Sequence, residues 1–498
     1  MYIHTIPIEQ LSHPLKREVW FSSNSRGSGR DFHSRSSVMA APEPKKTVAI
    51  IGSGMAGLVS AYLIQQDRKR RYEVEVFEMQ DQLSLDSASY TITSQDHHTY
   101  RVDVPMRAFD DGFHNNLKLM YDHLGVKYTS PKFIYPLSTI STADGKKLPP
   151  HFIHSSSNHQ VPPIRPEGCG YVEWILRILY LAVCYFWFTA CCFLVEPRPA
   201  TPSDEGESLR QYLGRIRLPR YFINTYFLPL LSSVTTCSHS ELLDFPAIDA
   251  VDYARRTYRQ PHYTVVGGVQ NVQTKISNAQ SVRLGAIITQ VENVGSKVQV
   301  TWTDLKSKEV HFKQFDHVVM AVTPNVVGAI YEPLRKLMSS IPVNQGEAVV
   351  HRDRSSIPDC SQSLGRFAAT ARQSVDPTQI LHICSNSSAT EAIHEHPCSV
   401  LVTSFPIAPI DPAKVIHRAR LTRVLRTPQS RKIVNRIFGG NPQHAYQDKE
   451  KSWSNGTGNV WLAGAWCWDG MVLLEGCVVS AMRVAASLDV EVPWLISQ

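Results

Sequence analysis

Metal and disulfide chemistry are what this sequence most plainly lacks. Its ten cysteines include no CxxC pair and no Cys/His cluster at metal-ligand spacing, so a zinc site has no support. Cys169, Cys184, Cys191 and Cys192 lie in or beside one very apolar run, where a thiol serves as a small hydrophobe. Charge is also sparse, at 19% of residues with a net +7, which is too little for a dedicated nucleic-acid binder. A 43% hydrophobic content excludes a disordered or fibrous chain. No Ser/His/Asp or Cys/His arrangement has the spacing of a nucleophile motif. Acid is missing altogether between Asp411 and Asp448, a stretch that holds Lys414, Arg418, Arg420, Arg423, Arg426, Arg431, Lys432 and Arg436. That stretch reads either as a solvated helical face or as an anion site for a phosphate, a carboxylated substrate or lipid headgroups.

Residues 1–45 carry no apolar h-region, so no ordinary secretory signal is expected. Met39 opens MAAPEPKKTVAII, which reads as a natural start. The extension 1–45 is expected to be disordered or to reflect a misassigned start codon. The 498 residues suggest about two or three domains at ~100–200 residues each. Ile178–Val195 is eighteen residues without a charge, the lower limit for a membrane span at about 27 Å as a helix.

Thr47–Ile51 (TVAII) is a β-branched run of the kind found in buried parallel strands. Gly52-Ser53-Gly54-Met55-Ala56-Gly57 follows at once, then an amphipathic helix ending in basic residues, then Glu73–Phe77 with Glu78 at its tip. Each glycine has a reason. Gly52 permits the tight turn, Gly54 lets a pyrophosphate approach the backbone, and Gly57 lets helix and strand pack closely. Unpaired N–H groups at the helix start favour an anion. Glu78 stands 21 residues beyond Gly57, where a carboxylate can accept from both ribose hydroxyls. Strand, turn, helix, strand and acid in register read as a dinucleotide site.

The other end of the chain decides between dinucleotides. Trp461-Leu-Ala-Gly464-Ala465-Trp466 leads through Trp468 to Leu474-Glu475-Gly476-Cys-Val-Val-Ser480-Ala481. This block resembles the carboxy-terminal flavin motif of the FAD-dependent amine oxidase and phytoene desaturase superfamily. Val265-Val266-Gly267-Gly268, the strand beginning at Ile288, and His317–Thr323 resemble further blocks of that family. The chain is most similar to a branch known as predicted NAD/FAD-binding proteins, through Val102-Asp103 to Phe109, YFLPLLSSV, VVHRDRSSIP and the GAW at 464–466. The pattern is not complete. Ser84-Leu85 replaces a Gly-Gly, Val104-Pro105-Met106 displaces a glycine, and Ala465 stands where many amine oxidases carry an acid.

The resemblance implies an α/β fold in which a GxGxxG Rossmann-type FAD-binding domain is interleaved with an α+β substrate domain. The FAD-binding domain would gather 46–130, 262–330 and 440–498, and the substrate domain 131–261 and 331–439. It implies FAD held by Gly52, Ser53, Gly54, Met55, Ala56, Gly57, Glu78, Ile288, Gly464, Ala465, Leu474 and Glu475. Ile288 would contact adenine through its backbone. The expected activity is that of an oxidoreductase, the flavin accepting a hydride at N5. The substrate would be an apolar or amphiphilic small molecule of specialised metabolism: a fatty acid, polyketide, terpenoid or lipophilic amine. O2 or a quinone would reoxidise the flavin. A redox-neutral isomerase or cyclase fits the same residues, and a non-catalytic lipid carrier related to Rab GDP-dissociation inhibitors is a further alternative. Trp466 and Trp468 are candidates to wall the substrate cavity. Arg107, His351 with Asp353, and Tyr263 are candidates to contact the substrate.

The two halves of one FAD site flank the apolar run, so a single membrane crossing there would separate them. The run is therefore expected to be a core helix, a monotopic interfacial helix, or half of a hairpin with Tyr221–Val234.

Overall fold

Alternating β-branched residues and the glycine turn produce strand β1 (Lys46–Ile51), helix α1 (Met55–Gln65) and strand β2 (Tyr72–Phe77). The computed structural model describes residues 44–93, 97, 99–155, 164–166, 168–201, 204–278, 280–359, 378–396, 399–438 and 453–496. The extension 1–43, and with it the expectation about the start of the chain, lies outside the described residues. So does part of the basic stretch, from 439 to 447.

β1 is the centre of a five-stranded sheet in the order Ser281–Arg283, β2, β1, His317–Met320, Val460–Leu462. All four pairings are parallel. Its strands come from four distant parts of the sequence. β1 carries four fully enclosed apolar residues in a row, Val48 to Ile51, the signature of a strand covered on both faces. The chain passes to β2 on one side of β1 and later to His317–Met320 on the other. The crevice at the carboxyl end of β1 is thus a topological switch point, where ligands of such sheets bind.

A seven-stranded sheet faces this unit, in the order Val415–Val424, Val343–His351, Val400–Ser404, Thr390–His396, Thr378–Ser385, Lys132–Thr139, Phe152–Ser155. A three-stranded antiparallel sheet, Ala286–Val294, Lys297–Asp304 and Val310–Phe315, holds Ile288 opposite Trp302. Helices from 209 to 257 form a layer whose Tyr212, Phe222, Tyr226 and Leu228 share one core with Leu137, Phe152 and Ile383 of the seven-stranded sheet.

The apolar run lies in helix α3 (Tyr171–Leu194), which begins seven residues earlier than the uncharged segment. Trp174 and Arg177, expected as flanks, lie inside it. Arg177 is held by Glu173 one turn back and by the His151 carbonyl. Leu181, Cys184, Phe188, Cys191 and Cys192 form its buried stripe, the i, i+3, i+7 pattern of one helix face. The opposite face, with Val172, Leu176, Leu179, Val183, Phe186 and Leu194, is exposed. α3 is therefore not a core helix. Tyr221–Val234 does not supply a second membrane arm either, because Phe222, Tyr226, Phe227 and Leu228 are buried within the protein.

The basic stretch is not a helical face. It is a strand, Val415–Val424, followed by a helix, Pro428–Phe438, and most of its cations have named partners. Lys414 pairs with Asp353 and Asp411, Arg418 with Glu347, and Arg431 with Asp249.

Candidate functional site

The glycine turn is built tightly. Gly52 sits at φ +99°, and a Cβ there would meet the Ala321 carbonyl oxygen at 2.7 Å. A Cβ on Gly57 would come within 1.9 Å of the Gly52 oxygen. Gly54 differs. The nearest atom to a Cβ at that position is the Ser84 hydroxyl at 3.9 Å, so the backbone there borders open space. Ser53 is buried, and both its N–H and its hydroxyl donate to Glu78, at 3.0 and 2.6 Å. Glu78 also accepts from the Gln80 N–H at 3.0 Å. The carboxylate expected to serve a ribose thus braces the turn in this structure, and it is not on the wall of the cavity described next.

A cavity of about 540 Å³ opens beside Gly54, Met55 and Ala56. The same wall carries Gly464, Ala465, Trp466, Leu473 and Leu474. Two helix N-termini therefore converge on one space: α1, and the carboxy-terminal helix Leu474–Ser487. Neither has a side-chain cap, so their first N–H groups are available to an anion or a polarised oxygen. Ser480 fastens the turn to its helix. Its hydroxyl accepts from the Gly464 N–H at 2.9 Å and lies 3.1 Å from the Gly464 oxygen.

Glu475 does something other than what was expected of it. Its buried carboxylate accepts the Asn116 N–H at 3.0 Å, the Asn116 amide at 2.6 Å and the Leu117 N–H at 3.0 Å. It caps helix α2 (Asn115–His123) and does not line the cavity. Asp103 plays a similar part, taking the Val269 N–H at 3.0 Å where the helix Val269–Ser277 follows the Gly267-Gly268 turn.

The remaining wall is the inner face of the seven-stranded sheet, with Phe133, Tyr135, Leu381, Ala392, His394, Val402, Leu421 and Arg423. Tyr253 and the segment 233–236 line it from the helical layer. Polar side chains are interspersed along it, Ser84, Thr236, Thr323 and Ser404 among them. Asp110 and His114 share a 2.7 Å hydrogen bond at the wall. Burial works against ionising Asp110, but the His114 bond and nearby N–H groups hold its carboxyl below the usual range. His262 stands across the strand pairing from Asp110, its basicity lowered by burial. The Cys477 thiol at the wall is pushed up to about 12 by burial and stays protonated.

Of the residues expected near substrate, Trp466 and Arg107 lie on this wall. The Trp466 indole donates to the Val322 carbonyl at 3.1 Å. Trp468 does not reach the cavity; its indole donates to the Met471 carbonyl at 2.9 Å and its ring packs edge-on against Phe113. Tyr263 also lies off the wall, packed between Phe109 and Tyr128. His351 is fully enclosed, bonded to the Thr403 hydroxyl at 2.7 Å and accepting the Asp353 N–H. Burial lowers its pKa to about 4. His351 is a satisfied core residue, and Asp353 caps the turn that follows it.

The sequence reading missed Asp110, His114 and His262, although the Asp-x-x-x-His spacing was visible. It also missed Arg426. That buried guanidinium donates to the Trp466 carbonyl at 2.7 Å and the Trp468 carbonyl at 2.5 Å, so a cation of the basic stretch holds the turn 466–468 in shape.

The open approach at Gly54 and the two uncapped N-termini fit FAD. The first would receive the pyrophosphate, and the second the electron-rich edge of the flavin ring. Comparisons with known proteins agree. Residues 50–124 match the NAD(P)-binding Rossmann-like domain, and residues 192–351 match the flavin containing amine oxidoreductase family. No curated protein matches the chain. An engineered putrescine oxidase, a triple mutant from a redesign of cofactor binding, superposes with a TM-score of 0.53 at 14% identity, over 89% of this chain and 99% of its own. A CLA-producing fatty acid isomerase from P. acnes gives a TM-score of 0.56 at 11% identity, over 91% and 100%. At these identities the structural likeness establishes the fold, and the family matches and site residues carry the assignment. The fold and the two family matches support an FAD-dependent oxidoreductase with an amine oxidase-like fold.

Proposed function

We propose that this enzyme oxidises an apolar or amphiphilic small molecule held between the FAD and the seven-stranded sheet. One observation carries the reading. One cavity joins segments 54–56, 464–466 and 472–474, which would contact the flavin, to a wall of Phe133, Tyr135, Tyr253, Leu381, Val402 and Leu421. FAD, when bound, would supply hydride acceptance at N5, with O2 or a quinone as reoxidant. The protein's part is positioning and exclusion. The aromatic and aliphatic wall orients a hydrocarbon and keeps water out, as such oxidation requires. Asp110 and His114 are placed to hold or move a proton at the His114 ring, the carboxylate fixing that ring in one orientation. The division of labour follows the segments: 46–130, 262–330 and 440–498 for the cofactor, and 131–261 and 331–439 for the substrate.

The exposed face of α3 supports a monotopic membrane-surface attachment. Tyr180 contacts Tyr221, and Phe193 contacts Tyr258, so the exposed aromatics continue onto neighbouring helices. Arg217, Arg220 and Arg259 are exposed beside them, which suits an anionic lipid surface. Residues 220–235, part of which packs on α3, include Val234 near their end, a residue both 40% exposed and on the cavity wall. An apolar substrate would enter there from the lipid.

Anaerobic mixing of the purified enzyme with candidate lipids, following the visible flavin band, tests the reading. Bleaching by an apolar compound is the expected result. Conversion of that compound without bleaching and without an acceptor would assign redox-neutral isomerisation instead. Bleaching confined to small polar amines would overturn the proposal.

A further inference from the structure

Two arginines on the cavity wall each have an enclosed nitrogen without a partner. Arg107 precedes the strand Ala108–Asp110, and Arg423 comes from the strand Val415–Val424. The Nη1 of Arg107 and the Nε of Arg423 are both enclosed and have no hydrogen-bond acceptor. Among the described residues neither guanidinium is in an ion pair, whereas Lys414, Arg418, Arg426 and Arg431 of the same basic stretch are all engaged.

Among the described residues no carboxylate is in ion-pair contact with either guanidinium. Asp103 is the carboxylate that Arg107 feels, but both its oxygens face the Val269 N–H, at 3.0 and 3.1 Å. Arg101 is already paired with Asp86. On the other side stands the Cys237 thiol, which burial pushes up to about 12, so it is uncharged. Burial and the neighbouring Arg107 together lower Arg423 to about 10. Two neighbouring cations, each with an enclosed and unsatisfied N–H, are costly unless an anion sits between them. The planar fork of a guanidinium matches a carboxylate or phosphate in particular.

We infer that Arg107 and Arg423 grip the carboxylate of the substrate, and that the enzyme acts on an apolar carboxylic acid. Its hydrocarbon part would run over Phe133, Tyr135, Leu381, Val402 and Leu421. This rests on the reading of the cavity as shared by FAD and an apolar substrate. It narrows that reading, because a pair of unpaired cations repels the ammonium of a lipophilic amine.

Equilibrium dialysis of the FAD-loaded enzyme against decanoic acid, decanol and decylamine tests the assignment, with FAD content measured in parallel. The acid is expected to bind at least about ten-fold more tightly than the alcohol, and the amine more weakly than either. Arg423→Gln should cost the acid about ten-fold or more and leave the alcohol unchanged, with Arg423→Lys recovering part of the loss. Arg107→Gln should act in the same direction, and FAD content should stay at the wild-type level in all three variants. Equal binding of acid and alcohol, failure of the acid to bind, or an unchanged acid affinity in Arg423→Gln would overturn the inference. Loss of FAD from Arg423→Gln and Arg107→Gln would assign the pair to the cofactor's own phosphates, overturning the substrate role but not the flavoenzyme reading. A wild-type protein that binds no FAD would instead sink the reading beneath it.

Discussion

A methyl group on Gly57 would collide with the Gly52 carbonyl at 1.9 Å, whereas one on Gly54 would find nothing nearer than 3.9 Å. Two glycines of one motif thus differ: Gly57 is required for packing, while Gly54 leaves open the space that we assign to a ligand. Gly57→Ala should destabilise the protein by about 1–3 kcal/mol through overpacking. Gly54→Val should leave thermal unfolding of the FAD-free protein within about 0.5 kcal/mol of wild type, yet abolish FAD retention. Thermal melts of the two FAD-free variants, with FAD retention measured beside them, check this; the reverse assignment would contradict it. Residue roles of this local kind were legible in the sequence, because glycine spacing encodes backbone geometry directly. Roles that depend on a distant partner were not. Glu475 sits in the first turn of its own helix, yet its carboxylate serves the N-terminus of α2, 358 and 359 residues away in sequence. Nothing local to His351 separates a substrate contact from a core residue; it is Thr403, on the neighbouring strand, that accounts for its ring.

At the scale of elements, α3 shows what composition can and cannot say. Its length and apolarity were plain, but they do not distinguish a core helix from an interfacial one, because the uncharged run is apolar all round the helix. Only the neighbours decide, and they cover the stripe Leu181, Cys184, Phe188, Cys191 and Cys192 and leave the rest open. Val172, at 73% exposed, and Leu194, at 74%, mark the two ends of the open face. The protein should float with vesicles containing anionic phospholipid. Replacing Leu176, Val183 and Phe186 together by serine should release it into the soluble fraction while FAD content stays unchanged. Equal flotation of the two proteins would remove α3 as the attachment. The basic stretch failed as a helix prediction for a related reason. Side chains of a strand alternate between its two faces, so Arg418 and Arg420 share one face while Arg423, three residues beyond Arg420, takes the other. Arg418 and Arg420 are exposed, and Arg423 turns to the cavity wall. That division follows from the pairing with Val343–His351, which sequence spacing alone does not reveal.

At the scale of the whole molecule, the sheet around β1 joins Lys46–Ile51 to Val460–Leu462 through one intervening strand. That closure brings the turns after β1 and after Val460–Leu462 to one cavity, and their proximity was readable because both resemble motifs for the same cofactor. The wall opposite was not readable. Phe133, Leu381, Val402 and Leu421 are ordinary strand residues whose shared face exists only after seven strands have paired. The central claim is that the two uncapped helix N-termini, α1 and Leu474–Ser487, hold one FAD between them. The most direct measurement is the visible absorbance of the purified full-length protein, with the FAD released on denaturation counted per chain. A yellow protein that releases one FAD per chain is the predicted result; a colourless protein that takes up no added FAD would contradict the account.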